Sequence, residues 1–294
     1  MAKFLIRYGE IALKSSWVRK RFQARLVTNM QDYFLHRSVQ CMIRSEYGRI
    51  FLDTDEIPAA SEILGRIFGI TSFSIVESTT SGLEDIAKVA TEQFRSELKP
   101  GRSFAIRARR SGNQKYTSPE LASFVGGEIQ SSVEGLTVNL GNPDVEIFIE
   151  VRGKEAYVFG GRIPGPGGMP LGTQGTVLAV VSDKECIAGA WLMMKRGCKV
   201  HIAHFNKRDV VEPLRSWDVH LRTYCISDES ELDSLIEEAG AMGFVTTWRE
   251  GSRYEPAKKI PVFYPTIGLA RNELDDLLRR IERQPISSCD RGLS

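Results

Sequence analysis

Hydrophobic and polar positions recur along the chain with periods that predict its elements. Residues 3–8 (KFLIRY) alternate closely enough for a strand. Ser15-Ser16 then offers an N-cap before a long helix. Val18, Phe22, Leu26, Met30 and Phe34 follow every fourth residue and make one apolar stripe. Arg19, Lys20, Arg21 and Arg25 fall mostly off that stripe, toward solvent. Residues 39–44 (VQCMIR) and 49–52 (RIFL) read as two more strands joined by a turn near Tyr47-Gly48. A small α/β unit over residues 1–55 is expected.

The pattern over 56–162 is a second α+β unit. Residues 58–68 open on a proline and read as a helix. Residues 72–76 read as a strand, and 82–97 as a helix with Leu83, Ile86, Val89 and Phe94 inward. Residues 103–109 (SFAIRAR) alternate strictly, with Phe104, Ile106 and Ala108 on one face and Ser103, Arg107 and Arg109 on the other. A helix over 117–133 is entered through Thr117-Ser118-Pro119, and 145–151 with 155–159 form a hairpin across Gly153-Lys154. Residues 160–175 hold seven glycines and three prolines, so 163–175 is read as a linker or shaped loop.

Over 176–294 the period changes to alternating strand and helix. Residues 176–181 (TVLAVV) are a continuous apolar run, as in a strand buried on both faces. A helix over 184–196 ends at Gly197, and 199–205 (KVHIAHF) is the next strand. Helices near 229–242 and 271–283 flank strands near 244–248 and 261–264. A parallel sheet with helices on both faces is expected.

Composition adds little until it is divided along the chain. The 294 residues carry a formal charge of +2, yet residues 1–50 hold ten Lys/Arg against three Asp/Glu. Residues 101–118 hold five Lys/Arg and no acid, whereas 171–294 hold 17 basic and 18 acidic residues. The asymmetry puts a polyanionic partner on the N-terminal half. No apolar run is long enough to span a bilayer, and the N-terminus has no secretory core, so a cytoplasmic protein is expected. Five scattered cysteines without a C-x-x-C pair fit reduced thiols better than a disulfide framework or zinc site.

Three segments carry candidate chemistry. The first is RYGEIALK and the helix after it, where Lys14, Arg19, Lys20 and Arg21 are candidate phosphate contacts. A solvated helix face is the plain alternative. The second is RARRSGNQKYTSPE at 107–120. There Arg107, Arg109, Arg110 and Lys115 flank a helix N-terminus that could hold an anion, although the two strand arginines could simply face water. The third is the turn Ser182-Asp183-Lys184-Glu185-Cys186 after the buried strand. Strand-to-helix turns of α/β proteins hold phosphate on glycine-rich backbone. This one has no glycine and two acids, which is unfavourable for a triphosphate. His201 and His204, at i, i+3 on one strand, point to opposite faces and are not a metal pair; no metal site is expected. Met193-Met194 is core filler, and Cys186, near Lys184 at a helix start, is either activated or simply buried.

With these motifs in place the chain resembles the tRNA 4-thiouridine synthetase (tRNA sulfurtransferase, thiamine biosynthesis) family. The resembling segments are Arg7–Lys14 (RYGEIALK), Arg66–Ser74 (RIFGITSFS), Phe104–Arg110 (FAIRARR), Gly165–Gly175 (GPGGMPLGTQG) and Met193–Gly197 (MMKRG). They run in order over nearly the whole chain. The resemblance implies an α/β protein with an N-terminal ferredoxin-like unit, an α+β THUMP RNA-binding domain and a C-terminal parallel-sheet, Rossmann-like PP-loop domain. It also implies ATP with Mg as cofactor, tRNA as partner, a homodimer, and a persulfide-donating cysteine desulfurase if the enzyme is active. Val180, Val181, Ser182, Lys184, His204 and Phe205 stand where the nucleotide would lie.

The family PP-loop reads Ser-Gly-Gly-x-Asp-Ser, and this chain matches only Ser182. Residues 243–255 stand where the family's Thr-Gly-x-Ser-x-Gly-Gln-Val stretch should be, and no rhodanese domain is expected. The favoured reading is a tRNA-binding family member with a degenerate PP-loop and no assigned catalytic residue. The alternatives are an active sulfurtransferase, with Lys184 contacting phosphate and Cys186 or Cys225 carrying sulfur, and a non-enzymatic partner of another RNA-modifying enzyme.

Overall fold

The computed structural model describes residues 1–9, 15–46, 48–205, 208–247 and 256–282. In chain order the described elements begin with β1 (Ala2–Tyr8), α1 (Ser16–His36), β2 (Met42–Glu46), β3 (Arg49–Thr54), α2 (Ile57–Leu64), β4 (Ile70–Thr80) and α3 (Leu83–Gln93). β5 (Ser103–Ser111), α4 (Ser118–Ser132), β6 (Thr137–Val138), β7 (Val145–Arg152), β8 (Glu155–Phe159) and β9 (Ile163–Pro164) follow. The last group is β10 (Thr176–Val181), α5 (Lys184–Lys195), β11 (Lys199–His204), α6 (Arg208–Arg215), β12 (Arg222–Cys225), α7 (Leu232–Glu238), β13 (Phe244–Val245), β14 (Val262–Phe263) and α8 (Arg271–Glu282). They form two compact units that do not follow chain order. One comprises Met1–Arg7, Cys41–Asp55 and Ser72–Ile163; the other comprises Tyr8–Gln40, Glu56–Thr71 and Pro164–Ser294. No helix among the described residues is long and apolar enough to cross a membrane.

The first unit is organised by a sheet of order β2-β3-β1-β4-β8-β7-β5-β6, with β9 on β4. β1 and β3 run antiparallel with Leu5 opposite Phe51. β5 and β7 run parallel with Arg107 beside Phe148. Period-2 alternation sorts the side chains. Phe104, Ile106, Ile147, Ile149, Ala156 and Val158 pack against Ile86 and Ala90 of α3 and Leu121, Val125 and Ile129 of α4. The opposite face buries Leu5, Phe51, Val76, Tyr157 and Phe159 against one another.

That second face must be concave. Phe51 on β3 and Tyr157 on β8 are three strand spacings apart, about 14 Å in a flat sheet. Their ring centroids lie 4.8 Å apart, so the sheet curls over its own aromatics. Inside the curl lies Glu150, 3% exposed. It accepts hydrogen bonds from Arg49 Nε (2.9 Å), Arg7 Nη2 (3.4 Å) and Arg152. Burial alone would raise the Glu150 pKa, but Arg49, Arg152 and Arg7 together hold it below the usual carboxylate value. Burial pushes the Arg7 guanidinium down to about 10. Arg7 also lies 4.8 Å from the centroid of the Phe159 ring and donates to Ser74 Oγ at 3.0 Å.

The second unit holds a parallel sheet of order β12-β11-β10-β13-β14. Val177, Ala179, Val181, Val200 and Ile202 bury one face with Ile187 and Trp191 of α5, Val211 and Leu214 of α6 and Ile281 of α8. Leu178 and Ala203 bury the other with Leu232 and Ile236 of α7. This two-sided burial is why TVLAVV reads as one apolar run. α5 ends as expected, with Gly197 at φ +92°.

The structure refines or adds to three parts of the sequence reading, and a fourth lies outside the described residues. The glycine- and proline-rich segment is a tied strap: Gly165 and Gly167 amides donate to Thr71 and Ile70 carbonyls, Met169 to Lys195 and Gln174 to Gly197. At Gly168, φ is +75° and a side chain would run into the Lys195 carbonyl, so its glycine is required by close approach as well as conformation. α6 and β12 are elements that the pattern does not announce, because α6 contains Pro213 and β12 is the short polar run RTYC. The helix expected near 229–242 is a 3₁₀ turn over Glu229–Glu231 followed by α7. The expected turn at Tyr47 lies outside the described residues, with Gly48 beside it at φ +73°.

Glu150→Gln leaves Arg7 buried without its counter-charge and should cost about 3 kcal/mol, read by urea unfolding. Because the folded Glu150 pKa lies below its ordinary 4.5, the wild-type advantage should be full above that value. It should fade as pH falls through the lowered one.

Candidate functional site

A cavity of about 650 Å³ opens on the first unit. Arg107 and Arg109 of β5, Phe148 of β7, Ser118-Pro119 of α4 and Gly160-Gly161-Arg162 after β8 line it. Alternation puts the two arginines on the face away from Phe104 and Ile106, as the sequence predicts. Arg107 is tethered, donating through Nε to Glu146 Oε1 at 2.8 Å and through Nη2 to the Leu140 carbonyl at 2.7 Å. Arg109 makes no hydrogen bond or ion pair among the described residues. The Arg162 guanidinium lies 5.4 Å from the Phe148 ring centroid, and Phe148 stacks on Phe159 at 5.4 Å with 9° between the planes. An uncommitted guanidinium beside a ring already capped by another suits a ligand that has both a phosphate and a planar base.

The start of α4 contributes less than its sequence promises. Thr117 and Glu120 form a capping box: Thr117 Oγ1 accepts from the Glu120 amide at 3.3 Å, and Glu120 Oε2 accepts from the Thr117 amide at 2.7 Å. Pro119 has no amide proton, and a carboxylate stands where an anion would sit. The Glu120 pKa is lowered by these bonds to Thr117, its backbone amide first. Arg110 donates to the Gly112 carbonyl at 3.1 Å, and neither it nor the exposed Lys115 lines the cavity. Arg19, Lys20 and Arg21 are exposed on α1, with Arg21 5.4 Å from the Trp17 ring centroid. Lys14 lies outside the described residues. Sequence reasoning missed Arg162 and Phe148. The signal for Phe148 was its place between the inward Ile147 and Ile149; that for Arg162 was the Gly160-Gly161 pair before it.

The second candidate site is the C-terminal edge of the parallel sheet. Val181 of β10 pairs with His204 of β11, so Val180, Val181, Ser182, Lys184, His204 and Phe205 do converge there. They divide between faces: Val181 belongs to the core under α5, while Val180 and Phe205 pack on the α7 side. The α5 N-terminus is closed by its own sequence. Asp183 is the N-cap, and its Oδ1 accepts from the Cys186 amide at 3.1 Å. Ser182 Oγ lies 3.3 Å from Asp183 Oδ2 and 3.5 Å from Cys186 Sγ, and Cys186 is buried. Lys184 pairs with Glu282 of α8 at 3.0 Å, and Glu185 accepts from Thr266 Oγ1 at 3.0 Å. His201 sits on the face opposite His204, 3.4 Å from Tyr224 Oη, and burial pushes its pKa down, helped by Lys199 and Arg222. Among the described residues no three His, Cys, Asp or Glu side chains group to hold a metal ion.

The comparisons agree with this architecture. Residues 3–74 match the ThiI ferredoxin-like domain family and residues 81–159 the THUMP domain family. The protein is thus a THUMP-containing chain with a ferredoxin-like N-terminal domain and a parallel-sheet C-terminal one. A probable tRNA sulfurtransferase of Methanothermobacter thermautotrophicus is 32% identical, over 96% of this chain and 85% of that relative. One from Methanosarcina acetivorans is 31% identical, over 98% and 83%. This chain belongs to the tRNA sulfurtransferase family. Its fold superposes on a crystal structure from Pyrococcus horikoshii with a TM-score of 0.84, at 28% identity over 96% of this chain and 99% of that one. The fold is also that of a 4-thiouridine synthetase solved with RNA and ATP, at a TM-score of 0.74 and 21% identity over 96% and 85%.

Asp183→Ala removes the α5 cap and should cost about 1 kcal/mol, read as a lowered thermal midpoint. Asp183→Asn, which keeps an acceptor, should restore most of it.

Proposed function

We propose that the chain is a tRNA-binding member of its family in which ATP-dependent thiolation is lost. The observation that carries the RNA reading is the cavity in which unpaired Arg109 and the Arg162–Phe148 pair face one opening. Phosphate there meets the guanidinium groups, and an unstacked base stacks on the plane of Arg162, because Phe148 is already occupied by Arg162 and Phe159. The exposed Arg19, Lys20 and Arg21 supply further contacts of the non-specific, salt-dependent kind.

The strand-end residues do not fit a triphosphate. The Cys186 amide is taken by the Asp183 carboxylate, Glu185 adds a second acid, and Lys184 is paired with Glu282. No glycine opens the backbone between Ser182 and Cys186. ATP is the ligand of the structural relative solved with RNA.

Filter binding or anisotropy with unmodified tRNA should give an affinity that falls steeply with salt. The Arg109→Ala, Arg162→Ala double variant should weaken it and lower the logarithmic salt slope by about 2, roughly one per lost phosphate contact. Calorimetric titration of ATP, with and without tRNA, should show no saturable heat. Release of AMP or pyrophosphate from ATP and tRNA would reinstate the thiolation reading.

A further inference from the structure

The second unit carries a cavity of about 460 Å³ that the RNA and nucleotide readings leave unused. Lys199 is the first residue of β11 and Arg222 the first of β12, and both line it. It therefore lies at the N-terminal edge of the parallel sheet, opposite the edge where Val181 and His204 end their strands. One face of α1 supplies Arg25 and Tyr33, and the loop before β12 supplies Asp218. A volume of this size is in the usual range for a small-molecule site.

Its polar groups are incompletely matched by the protein. Asp218 is 4% exposed and accepts the His220 amide at 2.9 Å, but it has no ion pair among the described residues. Burial raises its pKa, opposed by the hydrogen bond from the His220 amide and then by the charges of His220, Lys199 and Arg25, the last two without touching it. The buried Tyr33 hydroxyl has no hydrogen-bond partner among the described residues. Arg25 spends Nε on the Leu171 carbonyl at 2.9 Å, and its other nitrogens, Lys199 Nζ and the Arg222 guanidinium make no hydrogen bond or ion pair among the described residues. The nearby His220 is occupied with Asp32 at 3.3 Å. Of these groups Asp218 and Tyr33 are buried, and a ligand that completes them recovers the cost of leaving them unmatched, whereas Arg25 and Arg222 are exposed and Lys199 is half-buried, so they add electrostatic attraction for an anion.

What completes them carries both signs. A cation is needed beside Asp218 and Tyr33, and an anion beside Arg25, Lys199 and Arg222. A simple anion would leave the buried Asp218 unmatched, and a simple amine would forgo the attraction of Arg25, Lys199 and Arg222. We propose that this cavity binds a free α-amino acid, its ammonium on Asp218 and Tyr33 and its carboxylate on Arg25 with Lys199 and Arg222. Leu171, Val219 and Leu221 are the apolar wall for its side chain.

Calorimetry on the full chain with the twenty L-amino acids, each against its decarboxylated amine and deaminated acid at equal ionic strength, tests this. At least one amino acid should bind, and both truncated probes should bind at least about tenfold more weakly. Tyr33→Phe removes a hydroxyl with no hydrogen-bond partner among the described residues, so it should leave folding intact and weaken binding several-fold. Arg222→Gln, at an exposed rim, should do the same. Asp218→Asn should abolish binding, with its fold checked by circular dichroism. The proposal is overturned if no amino acid binds at about 10 mM, well above a millimolar Kd. It is equally overturned if the deaminated acid binds as well as the amino acid, or if Tyr33→Phe and Arg222→Gln both leave affinity unchanged.

Discussion

The constraint on which the first unit depends is the burial of one carboxylate among three arginines. Glu150 lies inside the curled sheet, where an unpaired charge would be prohibitive. Arg49 reaches it from β3, Arg7 from β1 and Arg152 from its own strand. These are strands that a flat sheet would hold far apart, so the network and the curl require each other. The network also shapes the cavity. Arg7 lies over Phe159, Phe159 supports Phe148, and Phe148 carries Arg162. Ser74, held by Arg7, donates to the Gly161 carbonyl at 2.6 Å, fixing the backbone just before Arg162. The candidate RNA surface is thus the outer end of a chain of contacts that begins at a buried acid.

Both helix N-termini that the sequence offers as anion sites are closed from within. Glu120 closes α4 and Asp183 closes α5. In each the macrodipole is satisfied by a carboxylate tied to the backbone, and a phosphate would have to displace it. Anion recognition then falls to guanidinium groups on strands and loops, whose charge is not already committed. The two candidate sites differ chemically: the cavity of the first unit keeps Arg109 uncommitted, while at the C-terminal edge of the second unit's sheet Lys184 is paired and the helix cap is filled.

Much of this was legible in the sequence. Alternation in SFAIRAR assigns each residue of β5 to its face, and the unbroken run TVLAVV identifies a strand covered on both sides. The fourfold stripe from Val18 to Phe34 is a buried helix face, with Phe22, Leu26, Met30 and Phe34 each almost fully enclosed. Short elements escaped: β12 has four mostly polar residues, and α6 tolerates Pro213, so neither has a period to read. The site was half legible. Arg107 and Arg109 stood out by charge, whereas Arg162 sat in a segment whose glycines suggested slack. The closed start of α4 could have been read, because Thr117 and Glu120 have the T-x-x-E spacing of a capping box. Glu150, one of two acids in β7, gave no hint that arginines from β1, β3 and its own strand would meet it.

The strap from Gly165 to Gly175 has a consequence for how the chain tolerates being cut or extended. Its composition is that of a hinge where a protease would nick or an engineer would insert a tag. Yet its amides are bonded in turn to the ends of β4 and α5, and Leu171 accepts from both Arg25 and Asn29 of α1. Opening the chain there would release several backbone bonds at once and loosen three elements together. New termini are better placed at Gly141, in the exposed loop between β6 and β7, where a side chain would meet little besides Asn139.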